Sequence, residues 1–230
     1  MESLHESLIK DLLGSAAWQV IQEVEGALYF LAGQYLFCWR ENESTQFKLL
    51  SPTVVKAAFD QEPGDSGWMP DNIVRSGVSR KGTWITQFIP AQKHRIEFQD
   101  TLLEIPLPSM VFLGLGKKYY LWAVAGKTFH PQAVTYHVPL PNVYHSGLLC
   151  FGSNRPPETA MATLSTAQKL FFQAAFNTHL VNGKSQKHPE NISLQLQNLA
   201  SHKKQHYPLR DLVKLNCSIE DLIFGQVYAR

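Results

Sequence analysis

Residues 138 to 152 read Val138-Pro139-Leu140-Pro141-Asn142-Val143-Tyr144-His145-Ser146-Gly147-Leu148-Leu149-Cys150-Phe151-Gly152. Pro139 and Pro141 have no amide hydrogen to give to a helix or a central strand, and Asn142 and Gly147 are residue types that accept turn and left-handed dihedrals. The first part of the stretch is therefore a shaped loop. Leu148, Leu149, Cys150 and Phe151 form a short apolar run suited to a core, after which Gly152, Ser153, Asn154 and the pair Pro156-Pro157 bring the chain out again. The thiol of Cys150 falls where core gives way to loop. A cysteine in that place is either inert packing or a thiol held where a second molecule can meet it.

The spacing P-N-V-Y-x-x-G-x-x-C, supplied by Pro141, Asn142, Val143, Tyr144, Gly147 and Cys150, resembles the active-site segment of ubiquitin-conjugating (UBC) enzymes. That pattern is H-P-N, a short turn with glycine, and a catalytic cysteine eight positions after the asparagine. Asn142 and Cys150 keep the separation, and Leu140 stands where the family has a structural, hydrogen-bonding histidine. The flanking stretches I-P-L-P-S-M-V-F and C-F-G-S, with P-G-D-S-G-W-M-P from Pro63 to Pro70, look most like the prokaryotic branch of the superfamily called family D, which includes PRTRC system protein B-like members. The likeness covers about the last two-thirds of the chain.

The resemblance implies an α+β fold, a UBC-like antiparallel β-meander with a helix packed on it and C-terminal helices, preceded by a small N-terminal α/β-strand extension. The expected division is a β-rich extension at residues 1–50 and a UBC-like domain at 51–230. It also implies a chemistry in which Cys150 accepts a ubiquitin-like modifier as a thioester from a ThiF-type adenylating (activating) enzyme and passes it to an amine. Asn142 would orient the loop and hydrogen-bond the oxyanion, with Pro141, Tyr144 and Gly147 shaping the loop. No metal and no other cofactor enters that scheme. Two further readings stay open. Asn142 can instead be a turn asparagine bonding its own backbone, and the whole can be a catalytically inactive UBC-fold binding or scaffold module of a mobile-element-encoded bacterial system. Leu140 favours the inactive module, whereas Asn142 together with Cys150 favours catalysis.

Upstream of the loop, Trp84, Thr86 and Phe88 alternate with their neighbours, and Ile96 and Phe98 alternate with Arg95, Glu97 and Gln99, as in half-buried antiparallel strands. Leu103 to Leu115, interrupted by Pro106 and Pro108, and Lys117 to Ala125 after the turn at Gly114 and Gly116 complete a four-strand meander. The prolines place an edge or a strand start at their positions. Residues 71 to 76 are expected as a helical turn. Downstream, Ser165 with Gln168 predicts a capping box opening a helix from about Thr166 to Leu180, with Phe171, Phe172, Ala175, Phe176 and Leu180 on its apolar face. Residues 184 to 206, with Lys184, Lys187, Lys203 and Lys204 against Glu190, are expected as a solvated connector or a docking surface for an acidic partner, with a helix through Ile192, Leu196 and Leu199. Pro208 to Tyr228 predicts two helical pieces, the second capped by Ser218 with Asp221.

Near the amino terminus, Ser3 and Glu6 predict a capping box before a helix at residues 3 to 13. Between Trp18 and Leu50 the apolar residues alternate, with Tyr35, Phe37 and Trp39 on one face and Leu36, Cys38 and Arg40 on the other, giving three strands. Ser51 as N-cap and Pro52 at the first position predict a helix to about Asp60, a candidate for the helix that opens the family's core. The G-D-S-G within the Pro63–Pro70 loop is not a serine-protease nucleophile, because only His5 precedes it and Trp68 follows.

The 230 residues are 44% hydrophobic and 17% charged with net charge +2, which describes a folded globule with no charge excess that calls for nucleic acid. An acidic amino terminus and no run of 18 uncharged apolar residues predict a cytoplasmic protein with no membrane partner. Cys38, Cys150 and Cys217 are odd in number and far apart, which suits reduced thiols better than a disulfide framework or paired zinc ligands. His130, His137 and His145 lie near Cys150 in sequence, so a Cys-His hydrolase is a further class to weigh, although no local hydrolase pattern surrounds the cysteine.

Overall fold

The structure is a computed structural model, and it describes Asp11, Gly14 and residues 24–41, 44–60 and 69–228. The helix expected at residues 3–13, all but Asp11, and the loop from Pro63 to Trp68 lie outside the described residues. The chain divides into two compact units, Met1–Gly67 and Trp68–Arg230.

In the first unit, β1 (Gly26–Leu31), β2 (Gln34–Glu41) and β3 (Ser44–Leu50) form an antiparallel sheet in sequence order. The alternation along β2 sets its faces: Leu36 and Cys38 are buried against Ala27, Tyr29, Leu31 and Phe47, while Phe37 and Trp39 stack with each other on the opposite side. Helix α1 (Pro52–Asp60) begins as expected, the Ser51 hydroxyl accepting the Val54 N–H at 3.3 Å.

The second unit contains a six-stranded sheet and a three-stranded one. Its strands are β4 (Ile73–Ser79), β5 (Gly82–Ile89), β6 (Gln92–Phe98), β7 (Thr101–Leu107), β8 (Ser109–Leu115), β9 (Lys118–Val124), β10 (Val134–His137), β11 (Ala175–Phe176) and β12 (Lys214–Ser218). The large sheet runs β12-β10-β9-β8-β5-β4, every pair antiparallel, and the small one runs β11-β6-β7. The turn expected at residues 71 to 76 is confined to its start, and Ile73 onward is strand β4, paired antiparallel with β5 with a bulge between Ile73 and Arg75.

One long hairpin, bent by two prolines, explains the two sheets. β5 pairs with β8 up to Ile89 opposite Met110, and β6 pairs with β7 from Gln92 opposite Leu107, so the register passes unbroken through Pro90 and Pro108. Proline has no N–H for the ladder. At the bend the Ala91 N–H goes to the Ser109 hydroxyl instead, at 3.2 Å. Of the four strands expected, the stretches at Trp84–Phe88 and Ile96–Phe98 are thus one continuous bent strand, β5–β6, followed by β7–β8 and β9, and the fourth strand of the meander is β4, at the residues expected as a helical turn.

β8 is buried along its whole length because both of its faces are covered. Met110 and Phe112 face a core with Ile85, Ile96, Ile105, Tyr119 and Phe171, and Val111 and Leu113 face another with Trp84, Trp122, Ile219 and Ile223. The first core is closed by α2 (Leu164–Phe172) and by α3 (Ile192–Ser201), the second by α4 (Ile219–Tyr228).

Three downstream expectations need correction. Helix α2 stops at Phe172, and Phe176 instead lies in β11, pairing parallel with Phe98 and packing its ring on Phe171 at 5.3 Å. Tertiary pairing has overridden the apolar helical spacing. The N-cap of α2 is Thr163, without a side-chain cap bond, and Gln168 donates its amide to Gln87 on β5 rather than closing a capping box. Between Pro208 and Tyr228 there is a short 3-10 turn (Leu209–Asp211), then β12, and only then α4. The Ser218–Asp221 box does open α4: Asp221 accepts from the Ser218 N–H at 3.0 Å, and the Ser218 hydroxyl accepts from the Asp221 N–H at 3.2 Å.

Candidate functional site

The segment from Asn142 to Cys150 is a tight excursion built on the free flank of β9. β9 pairs with β10 through Trp122, Ala123 and Val124, which leaves its first half open on that side. The loop fills it: the Leu121 N–H donates to Gly147 O and the Leu149 N–H to Tyr119 O, both at 2.8 Å. Across the loop itself the Tyr144 N–H donates to Leu148 O at 2.9 Å and the Cys150 N–H to Asn142 O at 2.8 Å, with Val143 and Leu149 paired between them. Asn142 and Cys150, eight residues apart in sequence, are thus bonded neighbours in space.

The residues expected to shape the loop differ in what they contact. Gly147 has φ +87, and its Cα lies on the Trp122 indole so closely that a Cβ would come within 2.2 Å of Nε1. The same indole donates Nε1–H to Ser146 O at 3.1 Å. Asn142 takes φ +58, the left-handed region that asparagine tolerates better than most residues. Its N–H donates to His179 O at 3.2 Å, and its side-chain amide has no partner among the described residues. Pro141 is buried beside Leu140 and Val143, and the exposed Tyr144 contributes its backbone, its carbonyl accepting from the Gly147 N–H at 2.8 Å.

Cys150 itself is half-buried. Phe151 anchors it, the ring meeting Tyr119 at 5.8 Å and Phe171 of α2 at 6.0 Å, both edge to face. Below the loop sits Lys184, 1% exposed, with its ammonium donating to Leu140 O at 2.7 Å and to Val143 O at 2.5 Å. The expectation of a solvated residue 184 is therefore corrected: it is buried under the loop. Burial pulls the lysine pKa down to about 7 and the His137 pKa down to about 4, the latter with help from His145 and Lys184.

The three nearby histidines are engaged elsewhere. His137 and His145 rings meet at right angles 5.0 Å apart, and His130 Nδ1 accepts the Gln132 N–H. No hydrogen bond among the described residues joins any of them to Cys150. Cys38 is fully buried in the first unit, and Cys217 lies on β12 beside Thr135.

The sequence profile of Prokaryotic E2 family D matches residues 47–215, from β3 through the start of β12. The chain belongs to Prokaryotic E2 family D. No curated protein and no solved structure gives a match. Within this family D protein, the matched stretch holds the bent meander, the loop with Asn142 and Cys150, α2 and α3. Among the described residues, no helix is long and apolar enough to cross a membrane.

Proposed function

We propose that this family D protein is a conjugating transferase that carries a ubiquitin-like modifier on Cys150. The cysteine thiolate attacks the carbonyl carbon of the modifier's C-terminal thioester on a ThiF-type activating enzyme, and the adduct expels the activating enzyme's thiolate. The modifier is left joined to the sulfur of Cys150. An amine then attacks the same carbonyl, Cys150 departs as thiolate, and the surplus proton of the amine goes to solvent.

The observation that carries this reading is the backbone bond that sets the half-buried Cys150 beside Asn142. The asparagine backbone holds the loop, and its side-chain amide is left free to donate to the oxyanion that forms when the amine attacks. A donor of that kind is worth about 10²–10³ in rate. Pro141, Tyr144 and Gly147 serve the loop's shape in this account, and residues 51–230 serve as the conjugating domain with 1–50 as an extension. Membership of a PRTRC-type system, with its modifier and activating enzyme encoded nearby, belongs to the same proposal.

Non-reducing electrophoresis after mixing the protein with its cognate activating enzyme, ATP and modifier tests the reading. A higher-mass species that thiol reductant removes is expected, present in Cys38→Ala and Cys217→Ala and absent in Cys150→Ala. An activating enzyme that charges itself but never charges wild type leaves a noncatalytic binding role; a band that survives in Cys150→Ala refutes the assignment.

A further inference from the structure

We infer that Lys184 is the positioning residue of the Cys150 loop, its ammonium bridging the carbonyls on either side of Pro141-Asn142 so that the Asn142 side chain is held where discharge needs it. This rests on the reading of Cys150 as a modifier carrier.

Leu140 brings no polar side chain to the loop. The left-handed turn at Asn142 also points the Leu140 and Val143 carbonyls away from any ladder, and among the described residues neither receives a backbone N–H. Each would lose about 1–3 kcal/mol if left dry and unbonded. Lys184 reaches both from the segment after Gly183, at 2.7 Å and 2.5 Å. That segment is fixed against the loop in turn: Gly183 has φ +69, and a Cβ there would come within 2.7 Å of the His145 ring.

A lysine buried without a carboxylate partner is costly, and an apolar chain of the same length would fill the space more cheaply. Only the two carbonyl bonds distinguish lysine from methionine here. Those bonds fall on residues 140 and 143, while the Cys150 and Asn142 amides fix residue 142 itself. The Asn142 backbone is then constrained from both sides and from across the loop. Among the described residues Lys184 bonds only the Leu140 and Val143 carbonyls and not Cys150, so its effect runs through Asn142.

The test uses the full chain with Lys184→Met, which keeps the length and removes the donors, and Lys184→Gln as a second variant should the first fail to fold. Lys184→Met is expected to charge within about threefold of wild type and to discharge onto free lysine at least about tenfold more slowly. Adding Lys184→Met to Asn142→Gly is expected to slow discharge no further, because the lysine acts through the asparagine. Charging and discharge falling together, or additive losses in the double variant, overturn the proposal. Backbone hydrogen exchange gives a readout independent of conjugation. The Cys150 amide should exchange at least about tenfold faster in Lys184→Met, with Val111 and Leu113 unchanged, whether or not the protein is ever charged. Unchanged protection at Cys150 contradicts the positioning role; failure of wild type to charge contradicts only the proposed function.

Discussion

The backbone N–H of Cys150 donates to the carbonyl of Asn142 at 2.8 Å, closing the loop at the two residues that the proposed chemistry uses. One backbone bond therefore ties the residue that carries the thiol to the residue that carries the candidate oxyanion donor. Trimming the asparagine side chain leaves that backbone bond in place, whereas changing the Asn142 backbone conformation does not.

That distinction makes Asn142→Gly the cleaner probe. Glycine accepts φ +58 without steric strain, so the variant should melt close to wild type, charge normally and lose about 10²–10³ in discharge rate. Asn142→Ala should show the same kinetic loss with an added destabilisation of about 1–2 kcal/mol from the left-handed backbone. Single-turnover discharge and thermal melts separate the two effects. Equal discharge by Asn142→Gly and wild type would remove the asparagine from the mechanism.

Gly147→Ala should be damaging through geometry alone. The new methyl group meets the Trp122 ring at an impossible distance and sits on a backbone with φ +87, for a destabilisation of about 2–4 kcal/mol. Denaturant unfolding should show the loss, and the Trp122 indole N–H resonance should shift as its bond to Ser146 O opens. A variant as stable as wild type would mean that the loop does not rest on Trp122.

Stability should depend on pH through Lys184. Its folded pKa lies at about 7 because burial disfavours the charge, against the ordinary 10.5, so between those values the unfolded chain holds a proton that the folded one lacks. Raising the pH from about 7 to about 10 therefore favours the folded state. His137 on β10, which lies near Lys184, does not reverse this, since its pKa is held at about 4 by burial and it is already neutral across that window. Denaturant melts should show wild type gaining on Lys184→Met across that window, with the gap constant below it. Parallel curves would contradict the burial of an uncompensated amine.

The three thiols should differ in access. Cys38 is fully buried and its thiol is pushed up to about 11, so a maleimide should label Cys150 and Cys217 in the native protein and reach Cys38 only on unfolding. Peptide mapping before and after denaturant checks this, and prompt labelling of Cys38 would show that the first unit opens readily.

Local rules made much of the fold legible. The alternation in β2 and around Ile96 and Phe98 located strands, Ser51-Pro52 and the Ser218–Asp221 box located helix starts, and Pro106 and Pro108, read as an edge or a strand start, lie in the edge strand β7 and just before β8. What the sequence concealed depended on distant partners. Phe176 has perfect helical spacing from Phe172, but pairing with Phe98 takes it into β11. β12 reads as a helical approach to α4 until β10 offers it an edge. At the loop, Gly147 and Asn142 were legible as turn residues, whereas Trp122 beneath Gly147 was not. Lys184 was the hardest to see, because it stands among surface lysines and only the turned carbonyls of Leu140 and Val143 give it a reason to be buried.

Peptide mapping of the isolated, charged protein is the most direct test of the central claim. After reaction with the activating enzyme, ATP and modifier, and without reductant, mass spectrometry should find the modifier's C-terminal carboxyl joined to the sulfur of Cys150, and the linkage should vanish on treatment with thiol. A modifier found on Cys217 or on a lysine, or no adduct from an activating enzyme that charges itself, would contradict it.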